Sequence, residues 1–123
     1  MITEDYCSYE VAKLLKEKGF DEQTRLAYTK SGKADFSSLT RYWNQGSLCA
    51  CPTHQMAMKW LREVHGTFIA INNDDLDFNW QCYDLINRGS TLDPKILSDS
   101  YAGYKTYEEA VEAALKYSLE NLI

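Results

Sequence analysis

Hydrophobic residues recur at helical spacing in three stretches of the chain, and each stretch carries its own end signals. The first follows Ser8, a good N-cap, and stops at Gly19. The second runs from Thr53 to Gly66, a residue suited to a left-handed C-cap. The third begins with a capping box at Thr106 and keeps helical spacing to the end of the chain. The sequence therefore predicts three amphipathic helices.

Alternating or β-branched stretches lie between these helices and predict two β-hairpins. The stronger hairpin joins residues 67–71 to residues 78–83 through a polar turn. The weaker one joins residues 24–30 to a return strand within 34–43. Residues 87–103 are rich in Gly, Ser and Asp, and they predict a long loop, either without regular structure or with a helical turn over residues 93–98.

These elements predict a single domain over residues 1–123 with an α+β fold and the order α-β-β-α-β-β-α. We expect three amphipathic helices packed on one face of an antiparallel sheet of about four strands. Because strand side chains alternate, Phe68 and Ala70 lie on the other side of the sheet from Ile69. The predicted core residues are Leu14, Leu15, Met56, Trp60, Leu61, Val64, Ile69, Ile71, Trp80, Val111, Leu115 and Leu119.

Two of the predicted helices also resemble each other in sequence. Residues 8–19 align with residues 53–66 once a small insertion is allowed, and a predicted hairpin follows each of them. Two interpretations are open: good helix starts look alike, or a helix-hairpin unit was duplicated and closed by a third helix.

Charge and composition indicate which classes of partner and which cellular compartment to expect. The net charge is -5, which disfavours nucleic acid because phosphate binding needs clustered Lys and Arg. The start of the chain has no positive region followed by an apolar one, and no stretch approaches the roughly 20 apolar residues of a membrane span. We therefore expect a cytoplasmic protein without membrane contact, in which the four cysteines are thiols.

The most suggestive chemical motif joins Cys49, Cys51 and His54, because thiolate and imidazole are zinc ligands. The usual zinc knuckle has two residues between its cysteines, however, and no second cysteine pair follows here. Cysteine is also among the most buried residue types without any metal. The sequence thus predicts no cofactor and no catalytic residue, and it predicts His54 and His65 to be solvent-exposed.

Aromatic residues supply the other candidate site. Tyr42, Trp43, Tyr101 and Tyr104 could form an exposed surface for binding another protein. Aromatic residues at such spacing can equally cover a small core.

Residues 9–20, 52–65 and 107–123 resemble blocks found in a family of short uncharacterised proteins of gut Bacteroidetes. The resemblance covers the three predicted helices and leaves the segments between them unmatched. It implies a single-domain, cytoplasmic, bacterial protein encoded near phage or mobile-element genes, and it assigns no catalytic residue.

The sequence therefore favours a small non-enzymatic protein-interaction or regulatory module whose partner is another protein. The alternative is a metal-binding protein or an enzyme that uses Cys49, Cys51 and His54. A deep cleft in which those three side chains converge would favour the alternative, and a flat aromatic patch would favour the interaction module.

Overall fold

The computed structural model describes residues 2–35, 48–74, 77–86, 95–100 and 103–123. These residues form three helices and six strands. In chain order the elements are α1 (Tyr9–Glu17), β1 (Leu26–Tyr28), β2 (Ala34–Asp35), β3 (Cys49–Cys51), α2 (His54–His65), β4 (Thr67–Asp74), β5 (Asp77–Asp84), β6 (Lys95–Asp99) and α3 (Tyr107–Asn121). Within the described ranges, no helix is both long and apolar enough to cross a bilayer.

The predicted helix ends are confirmed by their hydrogen bonds. The Ser8 hydroxyl accepts the Val11 N–H at 3.2 Å, and the Thr106 hydroxyl accepts the Glu109 N–H at 3.1 Å. Gly19 has φ +97°, and the N–H of the next residue, Phe20, donates to the Leu15 carbonyl at 2.9 Å. This is the Schellman arrangement that a glycine after the helix favours.

The chain divides into two compact units, Met1–Ala57 and Met58–Ile123, with the boundary inside α2. In the first unit, β1 is the central strand of an antiparallel sheet with the order β2-β1-β3, and α1 packs on β3. Its buried residues include Cys7, Val11, Ala12, Leu15, Phe20, Leu26, Ala27, Cys49, Ala50 and Cys51. The expectation of a single domain over residues 1–123 stays a prediction.

In the second unit, β5 is the central strand of an antiparallel sheet with the order β4-β5-β6. The long helix α3 packs on β4 and β5. Buried residues of this unit include Met58, Trp60, Leu61, Ile69, Trp80, Cys82, Ala110, Val111, Ala114, Leu115, Ser118 and Leu119.

The α+β class, the three helices and the antiparallel pairing are confirmed, but the expected single sheet of about four strands is wrong. The described residues form two sheets, and their order is α-β-β-β-α-β-β-β-α. Lys95–Asp99, which lies in the segment expected to be a loop, is a strand that pairs with β5. Cys49–Cys51, to which the sequence assigned no element, is a strand that pairs with β1. Neither segment alternates apolar and polar residues. Each one is a strand because it pairs with a strand elsewhere in its unit, and the local sequence does not show this pairing.

Most of the predicted core is confirmed, with errors concentrated in α2. Met56 is 38% exposed and Val64 is 58% exposed. The buried side of the helix instead passes through Ala57, Met58 and Leu61. Two further predicted core residues, Leu14 and Ile71, are half-buried.

The likeness between the first two helices extends to the hairpin that follows each one. Strands β1 and β2 pair after α1, and strands β4 and β5 pair after α2. The third strand breaks the likeness, because β3 joins the first strand of its hairpin whereas β6 joins the second.

Candidate functional site

The cysteines of the predicted metal motif are buried in the first unit. Cys49 and Cys51 are two residues apart on β3, so their side chains leave the strand on the same face. The Cys51 thiol lies 3.5 Å from the Cys7 carbonyl, and the Cys49 thiol lies 3.8 Å from the Ala50 carbonyl. Both thiols therefore donate to backbone carbonyl groups. Across the described part of the chain, no group of three or more His, Cys, Asp and Glu side chains is arranged to hold a metal ion.

The expectation that both histidines are solvent-exposed is wrong. His54 is the first residue of α2 and is only 5% exposed. Its backbone N–H donates to the Asp5 carbonyl at 2.9 Å, which holds the start of the helix against the N-terminal segment. His65 is half-buried, with its ring centroid 4.8 Å from that of Trp60. Its Nε2 atom is buried without a hydrogen-bond partner among the described residues.

Burial also sets the chemistry of two thiols. Burial raises the pKa of the Cys49 thiol, and the positive charges of Lys16 and Lys13 oppose only part of this effect. Burial likewise raises the pKa of the Cys82 thiol, and its hydrogen bond with Ser118 opposes part of the effect. A thiol with a raised pKa stays protonated near neutral pH and is a poor nucleophile.

Of the four aromatic residues predicted as an interaction surface, Tyr42, Trp43 and Tyr101 lie outside the described residues. Tyr104 is half-buried, and its backbone N–H and carbonyl both pair with Phe78 at 2.7 Å. Paired residues share a face of a sheet, and the Phe78 ring lies 6.2 Å from that of Tyr107 on α3. Tyr104 thus belongs to the side of the sheet that α3 covers.

The eight-pair register between β4 and β5 assigns every side chain of this hairpin to one of two faces. On the face toward α3, the Cys82 Sγ atom lies 3.3 Å from the Ser118 Oγ atom, and the ring centroids of Trp80 and Tyr117 are 5.0 Å apart. Ile69 is paired with Cys82 and is buried on the same face.

The opposite face, which we call the outer face, has no buried side chain among its described residues. Those residues are Phe68, Ala70, Asn72 and Asp74 of β4, Asp77, Asn79, Gln81 and Tyr83 of β5, and Ile96 and Asp99 of β6. The sequence pattern placed Phe68 and Ala70 there. It missed Ile96, since β6 was expected to be part of a loop.

One end of the outer face is aromatic and aliphatic. Phe68 and Tyr83 are directly paired, with ring centroids 6.2 Å apart, and Ile96 is paired with Tyr83 from the other side. Phe68 and Tyr83 are half-buried, and Ile96 is 52% exposed. These three side chains form one row across all three strands.

Amide side chains connect this row to the rest of the outer face. The Gln81 Oε1 atom accepts hydrogen bonds from the Tyr83 hydroxyl at 2.6 Å and from Asn72 Nδ2 at 3.3 Å. Two donors on one oxygen restrict the Gln81 side chain to a narrow range of orientations. These two hydrogen bonds join the side chains of Asn72, Gln81 and Tyr83 across β4 and β5.

The rest of the outer face carries acidic side chains. Asp74 and Asp77 are directly paired at the end far from the apolar row, and Asp99 is paired with Gln81, which is two positions from Tyr83. All three carboxylates are exposed, and none of the ten outer-face residues is Lys or Arg. The second unit has six Lys and Arg residues against eleven Asp and Glu residues, whereas the first has seven of each. The whole net charge of -5 thus resides in the unit that carries the outer face.

Comparison with known proteins assigns no function to the cysteine motif or to the outer face. The chain matches no protein-family model, and no significant match was found among curated proteins or solved structures. The resemblance to proteins of gut Bacteroidetes therefore stays a prediction. Any function must be inferred from the geometry and chemistry of the described residues.

Proposed function

We propose that this protein is a small non-enzymatic interaction module whose outer face binds another protein. The observation that supports this proposal is the row of Phe68, Tyr83 and Ile96 on the side of the sheet away from α3. An antiparallel sheet with one packed face normally presents polar side chains on its solvated face. An aromatic and aliphatic row in that position favours recognition, because buried aromatic anchors dominate the energy of many protein interfaces.

The surroundings of this row also favour binding. Protein interfaces have an apolar centre and a polar rim, and the outer face has amides and carboxylates on one side of its apolar row. The hydrogen bonds on Gln81 hold part of that rim in place, which lowers the entropy lost on binding.

We place the protein in the cytoplasm, as a proposal supported by its thiols. None of the four cysteines forms a disulfide, and all four are buried, which suits a reducing compartment. The alternative of a metal protein or enzyme built on Cys49, Cys51 and His54 has no comparable support, since both β3 thiols donate to backbone carbonyls and the Cys49 thiol has a raised pKa.

A comparative capture experiment tests the proposed function. The tagged protein, a Phe68→Ala/Ile96→Ser variant and a Val64→Ser control are each incubated with lysate of the native host, and retained proteins are identified by mass spectrometry. Val64 is a suitable control because it is an exposed apolar residue on α2, outside the outer face. We expect at least one protein to be retained by the wild type and the control and lost from the outer-face variant.

The same retained proteins on all three baits would contradict the proposal. Circular dichroism spectra and urea unfolding curves of the variants establish that lost retention does not come from a lost fold. A retained candidate is then purified, and its direct binding to the three proteins is measured by calorimetry.

A further inference from the structure

We propose, as an extension that rests on the proposed function, that the outer face binds a basic amphipathic helix of the partner protein. The helix places apolar side chains on Phe68, Tyr83 and Ile96, and it places Lys or Arg side chains beside Asp74, Asp77 and Asp99. Three properties of the outer face indicate this partner: its charge, its length and its width.

The charge of the outer face calls for a complementary partner. The face carries three exposed carboxylates and no basic residue among its described positions, in a unit that holds the entire negative charge of the protein. A partner with the same sign of charge would be repelled, and a neutral one would leave the carboxylates without countercharges. A basic segment matches this face.

The length of the outer face is set by the spacing between its apolar and acidic ends. Phe68 and Asp74 are six positions apart on β4, which is about 20 Å along a strand. Asp99 is closer to the apolar row, since its partner Gln81 is two positions from Tyr83, or about 7 Å. A helix covers 20 Å in about 13 residues, so a partner helix of four turns reaches both ends.

The width of the outer face favours a helix over a single extended strand. Three paired strands span about 10 Å from the first to the last, and a helix with its side chains is about 10 Å wide. A helix already packs on this sheet, because α3 covers β4 and β5 on the other face. A partner helix on the outer face would complete a three-layer arrangement.

The probe for this proposal is a synthetic helical peptide of about 18 residues labelled with a fluorophore. It has leucine and phenylalanine on one side of its first turn and lysine on the same side of the turns that follow, because Asp99 is about 7 Å from the apolar row and Asp74 about 20 Å from it. A second peptide replaces each lysine with glutamate, and a third has the first composition with two central prolines that prevent a helix. Binding is measured by fluorescence anisotropy at low and high salt.

Matched protein variants locate the binding site. One variant carries Asp74→Asn, Asp77→Asn and Asp99→Asn, and its control carries Glu63→Gln, Glu109→Gln and Glu120→Gln on the helices. Both lose the same charge. We expect the lysine peptide to bind the wild type, to bind the outer-face charge variant about tenfold more weakly, and to bind the helix control with at most a twofold change. The Phe68→Ala/Ile96→Ser variant should also lose about tenfold or more, and binding to the wild type should weaken at high salt.

Several results would overturn the proposal. Equal binding of the glutamate peptide would remove the charge argument, and equal binding of the proline peptide would identify an extended segment as the occupant. A wild-type dimer in analytical ultracentrifugation that the Phe68→Ala/Ile96→Ser variant dissociates would identify a second copy. Equal weakening by the helix control would mean that the peptide responds to net charge alone.

Failure of this proposal is distinguishable from failure of the proposed function. If the lysine peptide does not bind but a host protein is still retained through Phe68 and Ile96, the helix proposal is overturned and the interaction module stands. If neither the peptide nor any host protein depends on those residues, both proposals are overturned.

Discussion

At the residue scale, the same side-chain type acquires different chemistry from its surroundings. Cysteine at positions 49 and 51 suggests metal binding when only the spacing is known. In the structure these side chains are buried, and their S–H groups lie against backbone carbonyls. Local spacing does not reveal burial, so it could not separate a ligand from a packing residue.

Burial of Cys49 and Cys82 predicts a stability loss at alkaline pH. Because burial raises the pKa of both thiols above their values in the unfolded chain, the unfolded chain loses these protons first as pH rises. Their contribution to the free energy of unfolding is complete below the unfolded thiol pKa and falls as pH rises through the folded one. We expect the difference in that free energy between pH 7 and pH 10 to be smaller in a Cys49→Ala/Cys82→Ala variant than in the wild type.

Urea unfolding monitored by circular dichroism at both pH values measures this difference. The substitutions lower the free energy of unfolding at every pH by creating small cavities. The comparison therefore uses the change in that free energy between the two pH values and not its value at either pH. Maleimide labelling supplies a control, because both thiols should react slowly in the folded protein at pH 7 and quickly in urea. An unchanged pH dependence in the variant would mean that these thiols do not titrate differently on unfolding.

At the element scale, the ends of helices were predictable and the identity of short strands was not. Ser8, Thr106 and the glycines after α1 and α2 act within one turn of their own position, so the sequence alone identifies them. The face that a helix buries depends on what packs against it. Two residues of the predicted α2 stripe, Met56 and Val64, are therefore exposed.

Strands β3 and β6 were missed because pairing with a distant strand creates them. Cys49–Cys51 is only three residues long and is buried throughout, so it has no alternation to detect. Lys95–Asp99 contains a register irregularity opposite Cys82 and Tyr83, which further obscures its pattern. The sequence pattern places Phe68 on the outer face. The position of Ile96 on that face follows only from its pairing with Tyr83, which the sequence does not show.

The junction between α2 and β4 supports a prediction about Gly66. This residue has φ +66°, and its carbonyl accepts the Leu85 N–H at 2.8 Å. A Cβ atom there would overlap the Ile86 side chain. We expect Gly66→Ala to lower the free energy of unfolding by about 1–2 kcal/mol from the left-handed backbone, with a further loss from the overlap.

A second substitution separates these two causes. Ile86 is 70% exposed, so Ile86→Ala should cost little by itself and should restore part of the loss caused by Gly66→Ala. Gly19→Ala is a matched control, because Gly19 also has a positive φ but a Cβ there would meet no atom within 4 Å. Additive losses in the double variant, measured by urea unfolding, would exclude the overlap.

At the scale of the whole molecule, the distribution of charge is the property that composition conceals. A net charge of -5 over 123 residues is modest, yet it resides entirely in Met58–Ile123. Within that unit, three carboxylates share the outer face with its apolar row, and two of them, Asp74 and Asp77, are cross-strand neighbours. Like charges in directly opposed positions destabilise a sheet. The outer face is thus arranged at some cost to the folded state.

This cost leads to the final prediction, in which stability and binding change in opposite directions. The Asp74→Asn/Asp77→Asn/Asp99→Asn variant should be more stable than the wild type at low salt, by up to about 1 kcal/mol, because cross-strand repulsion is removed. The same variant should bind the lysine peptide about tenfold more weakly. Urea unfolding and fluorescence anisotropy on the same protein samples measure the two effects, and added salt should reduce both. If the carboxylates had only a structural role, the variant would lose stability along with binding. A gain in stability together with a loss in binding is the combination that a binding surface produces, since charges that repel one another in the free protein are neutralised when a basic partner is bound.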